Sequence, residues 1–211
     1  MTASLTSLSG LLGLSFASGV NLYAAILVVG LGLRYEWLTG LPKDLAPLAH
    51  PAVLIAAGLL YCVEFFADKI PFVSAAWDTI HTFVRPIGAA VMALTAASHL
   101  GPVEQTLVAI TGGTVALASH ATKMGVRLLS HGTGEPFTQA AMSTAEDVFA
   151  VTLVLLVSQY PYIALGIVVV LLIAIAILLP IIWKAIAAIF RGIAARLRKW
   201  FGPAGVEQAR S

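Results

Sequence analysis

Charge is what this sequence has least of. Only 10% of its 211 residues are Asp, Glu, Lys or Arg, against about a quarter in soluble domains. A chain that is also 59% hydrophobic cannot hide its apolar surface in one water-soluble core. It reads as an all-α, polytopic membrane protein. Cysteine is nearly absent. The single copy, Cys62, excludes an intramolecular disulfide framework and any zinc site built on cysteines. Its apolar neighbours make it a small core residue. The opening MTASLTSLSG has no Lys or Arg, so it lacks the charged start of a signal peptide and reads as the beginning of the first helix. No HExxH, GxSxG or phosphate-loop pattern occurs, so no enzyme activity and no cofactor are expected. No nucleic-acid partner is expected either.

The charge that is present is unevenly spread. Residues 1–183 carry six basic and nine acidic side chains, whereas 184–211 carry six basic and one acidic. This divides the chain into a membrane body, 1–183, and a basic tail, 184–211. In the tail, Ile186, Ile189, Phe190, Ile193 and Leu197 fall on one helical face. Lys184, Arg191, Arg198 and Lys199 fall largely away from it. Such a helix suits the anionic lipid head groups of a cytoplasmic leaflet.

A membrane helix needs about 20 mainly apolar residues. Six candidates follow: Leu5–Leu33, Pro51–Ala67, Pro86–Leu100, Val103–Leu129, Ser143–Gln159 and Ile163–Trp183. Arg34–His50 and Ser130–Thr138 read as polar loops. Pro71–Val84 is only moderately apolar and reads as a short amphipathic or re-entrant helix. Ser143 and Glu146 have capping-box spacing at the start of the fifth candidate. With the basic tail cytoplasmic, six crossings put both termini on the cytoplasmic side of an inner membrane. So thin a bundle suits a homo-oligomer within the lipid bilayer.

Two features stand out. Ser18-Gly19-Val20-Asn21 and Thr111-Gly112-Gly113-Thr114 interrupt the first and fourth candidates near corresponding places of the two halves. Matched glycine interruptions point to the binding site of an inverted-repeat transporter. Their alternative meaning is close packing of helices through small residues. The second feature is spacing. Glu64 and Asp68 are four apart; Asp78, His81 and Arg85 run i, i+3, i+7; so do His120, Lys123 and Arg127. Each set shares one helical face. Charges at membrane depth cost a few kcal/mol unless they face a polar interior. Together with Asn21, Lys69, Glu146 and Asp147, these residues form a candidate ion-binding or proton-relay set. Glu64, Asp68, His81 and His120 are also the candidate ligands should a metal bind.

ASGVNLY (17–23), VEFFADKIPFVSAAWDTIHTFVRPIGA (63–89), GGTVALASHATKMGVR (112–127) and STAEDVF (143–149) resemble the bacterial membrane-protein family known as domain of unknown function 4126. The resemblance covers about residues 8–180. It implies an integral membrane protein and assigns no catalytic residue. The expected role is therefore a small secondary transporter or channel for an ion or small charged solute, with proton coupling as an option. The alternative is a non-transporting scaffold or lipid-binding protein whose charges only hold helices together.

Overall fold

The structure, a computed structural model, describes residues 2–130 and 136–201. Among these residues the chain is all α: α1 Thr2–Val20, α2 Leu22–Arg34, a 3-10 helix Lys43–Ala49, α3 Pro51–Ala67, α4 Pro71–Ala96, α5 Pro102–Ser130, α6 Pro136–Gln159 and α7 Pro161–Phe201. From α3 onward each α-helix opens on a proline. That position lacks an intrahelical acceptor in any case, and the ring fixes φ near the helical value.

Several expected boundaries move. α4 runs unbroken through Pro86, so the short helix 71–84 and the third candidate are one element. α6 starts at Pro136, which puts Ser143 well inside it and rules out the capping box. α7 continues without a break from the apolar span into the basic segment. For the expected tail face, the side chains at 189, 193 and 195–201 lie outside the described set, as do residues 202–211. Gly132 and Gly134 of the expected loop also lie outside it. Cys62 is exposed on α3, not buried in the core.

The two glycine interruptions part company. At 18–21 the helix breaks: Asn21 takes an extended conformation, φ −150° and ψ 103°, and begins α2 as its N-cap. At 111–114 α5 is continuous. A Cβ on Gly112 would lie 2.9 Å from Ala93 Cβ and from Ser15 Oγ, and one on Gly113 would lie 3.3 Å from the Pro86 carbonyl. These glycines let α5 lie close against α4 and α1, which is the packing role of small residues in membranes.

The break also changes the chain's course. Ser9 Oγ donates to the Pro161 carbonyl, and Gly13 meets Val157. α1 therefore starts beside the α6–α7 turn and runs inward. α2 runs back out. Gly30 lies against Leu48, the Arg34 guanidinium donates to the Ala49 carbonyl, and Gly40 touches Ser158. Both arms thus reach the same end of the bundle, the end where Asp44 meets Ser98 and His99. The pair is a helical hairpin with Asn21 at its tip. The expected single first helix, Leu5–Leu33, is therefore two helices. The hairpin also places Ser9 at one end of the bundle, while Ile182 of α7 packs on Gly125 of α5 toward the other.

Burial is inverted relative to a soluble protein. On α4, Asp78, His81 and Arg85 are buried, while Ile80, Phe83, Ile87 and Val91 are exposed. On α5, His120, Lys123 and Arg127 are buried, and Val103, Leu107, Ile110 and Leu128 are exposed. Among the described residues, Phe137–Gln159 and Pro161–Gly192 are long and apolar enough to cross a membrane. A third candidate arises if the bent pair Lys43–Ala49 and Pro51–Ala67 counts as one span. α4 and α5 are long enough but too polar on average, because their inward faces carry the charges.

Candidate functional site

Breaking a helix frees backbone groups that must find other partners. At the tip, Asn21 Oδ1 accepts from the Ala24 amide, capping α2 at 2.9 Å. The freed carbonyls at the end of α1 go to cations. Arg85 Nη1 donates to the Gly19 carbonyl at 2.9 Å, and Lys123 Nζ donates to the Val20 carbonyl at 3.1 Å. The electrostatics match the helix dipole, whose C-terminal end is negative. Gly19 is required here, since a Cβ would overlap Ser119 Oγ and the Ala116 carbonyl of α5.

The same cations hold the acids. Arg85 Nη2 lies 2.6 Å from Glu64 Oε1 and 3.9 Å from Asp78. Lys123 Nζ lies 3.2 Å from Asp68 and 3.1 Å from Glu146. Arg127 reaches Asp68 at 2.8 Å, Asp78 at 3.2 Å, and Glu146. α3, α4, α5 and α6 are thereby tied to one another and to the hairpin tip. Asp147 stands apart. Its Oδ1 accepts from Asn21 Nδ2 at 2.8 Å, and it has no cation at ion-pair distance among the described residues.

The histidines are fixed by geometry. Arg85 Nη1 lies 2.8 Å from His120 Nδ1. A guanidinium only donates, so Nδ1 is the acceptor and Nε2–H points at the Asp78 carbonyl, 3.0 Å away. His81 Nδ1 donates to the Trp77 carbonyl at 2.8 Å, and its Nε2 meets the Tyr23 hydroxyl at 3.0 Å. Trp77 stacks on the His81 ring.

Of the sequence-predicted set, Asn21, Glu64, Asp68, Asp78, His81, Arg85, His120, Lys123, Arg127, Glu146 and Asp147 are gathered around the tip. Lys69 is not. Its ammonium donates to the Phe65 carbonyl and sits over the Phe65 ring, so this side chain caps its own helix end. Arg85 pairs with Glu64 and has neither Glu146 nor Asp147 at ion-pair distance. No group of three or more His, Cys, Asp or Glu among the described residues is arranged to hold a metal ion. Sequence reasoning missed Tyr23 and Gln139. The Gln139 amide donates to the Asp68 carbonyl and to Ser74 Oγ. Tyr23 follows Asn21 by two residues, a nearness that carried a signal; nothing marked Gln139.

A family model described as a domain of unknown function, DUF4126, matches residues 8–199. The chain belongs to the DUF4126 family. No curated protein and no solved structure matches it. In this DUF4126 chain, the stretches carrying the family resemblance converge in space. The first supplies the tip with Asn21 and Tyr23. The second supplies Glu64, Asp68, Asp78, His81 and Arg85; the third, His120, Lys123 and Arg127; the fourth, Glu146 and Asp147. What the DUF4126 cluster can do chemically is hold fixed charge at a helix break inside an apolar shell.

Proposed function

We propose that this protein is a small membrane transporter or channel for an ion or small charged solute, with the hairpin tip as its site. One observation carries this: the backbone is interrupted deep inside the bundle, and Arg85 and Lys123 occupy the freed Gly19 and Val20 carbonyls. Non-helical backbone at membrane depth is tolerated where it is buried in protein or lines a polar path. Half-helix ends at such breaks are where secondary transporters bind ions. Five crossings, α3 to α7, plus α1 and α2 as a re-entrant pair replace the expected six. The basic tail then sits on the cytoplasmic side of an inner membrane, against anionic head groups, with the N-terminus outside. Epitope tags at the two termini, probed in intact and opened cells, test this topology; protection of both from the same side overturns it.

Proteoliposomes holding a trapped pH-sensitive dye, driven by a potassium diffusion potential, test transport. The expected result is proton movement above protein-free vesicles that is abolished by Asp68→Asn and by Lys123→Gln. Parallel vesicles with sodium or chloride indicators test the other small ions. No flux above background with any of these probes removes the transport role.

A scaffold role is favoured by a different observation. Lys123 and Arg127 each meet at least two carboxylates, so their charges are balanced as in a purely structural network. Neutralising both members of a pair, Asp68→Asn with Lys123→Gln, separates the two. A scaffold keeps its function at lowered stability, whereas a transporter folds and loses flux.

A further inference from the structure

The cluster holds five acids, Glu64, Asp68, Asp78, Glu146 and Asp147, and three permanent cations, Arg85, Lys123 and Arg127. Four of the acids have a cation at ion-pair distance. Asp147, only 6% exposed, has none among the described residues. Among the described residues its Oδ2 has no hydrogen-bond partner, and neither does the Oγ of the fully buried Ser143 one turn earlier. Glu64, Asp68 and Asp78 also keep one such oxygen each, but their other oxygens meet Arg85, Lys123 or Arg127. An unpaired, buried carboxylate oxygen is costly, and neutralisation relieves the cost. The other ionisable groups facing it are Tyr61, Glu64 and Asp68 from α3, Lys123 from α5 and Glu146 on its own helix. α1 has no ionisable residue, and α7 has none from Ile163 to Ile182. Glu64 and Asp68 oppose a charge on Asp147, and Lys123 is already shared between Asp68 and Glu146.

We propose that Asp147 is the proton-binding carboxyl of this protein, and that its protonation loosens the hairpin tip through Asn21. Among the described residues no three His, Cys, Asp or Glu side chains are arranged to hold a metal ion, and the carbonyls at the break are taken by Arg85 and Lys123. One proton on Oδ2 is enough. The link to the backbone is direct: the Ala24 amide donates to Asn21 Oδ1, and Asn21 Nδ2 donates to Asp147 Oδ1. With Asp147 ionised, the second bond is charge-assisted and holds the cap in place. With Asp147 protonated, the acceptor is neutral and the hold weakens. As a coupling site this rests on the transport proposal; as a proton-binding carboxyl it is tested without it.

Infrared difference spectroscopy on the purified full chain, titrated with pH and without any gradient, reads the proton. A protonated-carboxyl band should appear on acidification and vanish in Asp147→Asn. In Asp147→Glu it should shift in frequency and persist. Amide hydrogen exchange, corrected for its intrinsic pH dependence, reads the tip. Exchange across residues 22–25 should rise roughly tenfold with the band, the ratio expected when a charge-assisted hydrogen bond becomes a neutral one. In Asn21→Ala the band should remain and the linked change in exchange should be lost. The proposal is overturned by the absence of any titrating band, or by a band that survives Asp147→Asn and disappears in Glu64→Gln, Asp68→Asn, Asp78→Asn or Glu146→Gln. A change in exchange driven by sodium at constant pH, with no band, also overturns it. A titrating Asp147 in a protein with no flux supports this proposal and defeats the transport one.

Discussion

Residues 18–21 and 111–114 look alike on paper. Each sets glycine among small polar residues in the middle of a long apolar stretch. In the folded chain the first reverses the helix and the second leaves it continuous. Glycine costs about 1 kcal/mol in a helix interior, too little to break one buried on several sides. The 18–21 stretch has two things the other lacks. Asn21 caps the new helix, and Arg85 and Lys123 wait for the carbonyls that the break exposes. At 112–113 the surroundings are Ala93, Ser15 and the Pro86 carbonyl, which offer close contact and no cation. A helix interruption is decided by what receives the freed backbone groups.

That contrast can be broken most forcefully at Arg85. Arg85→Met leaves Glu64 and the Gly19 carbonyl buried without their donor. The expected loss is about 3–5 kcal/mol, seen as a large drop in the SDS-unfolding midpoint of the purified protein or failure to recover it folded. Glu64→Leu added to Arg85→Met should return part of that loss; no recovery would mean the cation's task lies mainly with the carbonyl.

The glycines come next. Gly19→Ala would press a methyl into the backbone of Ala116 and should cost about 1–3 kcal/mol. Gly112→Ala would lie 2.9 Å from Ala93 Cβ and Ser15 Oγ, a milder overlap than the one with Ser119 Oγ and the Ala116 carbonyl at Gly19, so the same measurement should show a smaller loss. Gly113→Ala should lose least. If Gly112→Ala proves as damaging as Gly19→Ala, the two stretches are more alike than the geometry makes them.

The cap is expected to be a smaller effect. Asn21→Ala should cost about 1–2 kcal/mol, from the lost cap and from Asp147 losing its donor. Thr111→Ala and Thr114→Ala at the continuous stretch should stay within about 0.5 kcal/mol. Least of all, Asp44→Asn, which removes an exposed contact to Ser98 and His99, should leave the unfolding midpoint unchanged. Exposed pairs are solvated with or without their partner.

Much of the site was legible before any coordinates. The spacing of Glu64 with Asp68, of Asp78 with His81 and Arg85, and of His120 with Lys123 and Arg127 put each set on one face, and each face is buried. Helical periodicity is local, so sequence states it. Partner choice was less legible. Arg85 selects Glu64 because α3 and α4 bring them within 2.6 Å, a separation that no spacing along the chain encodes. Lys69 adjoins Asp68 in sequence, yet its stem folds back over Phe65 at the helix end. Asp147 stood out only once its neighbours were known, because the lack of a cation is a property of three dimensions.

Composition and periodicity by themselves determined that the chain is helical, that it suits lipid, and which residues face inward. They did so because an apolar solvent leaves charge nowhere else to go. Only the tertiary structure decided that the first apolar stretch turns back at Asn21 while the fourth runs on. That outcome depends on cations carried by α4 and α5, more than 60 residues further along the chain, which no local pattern encodes.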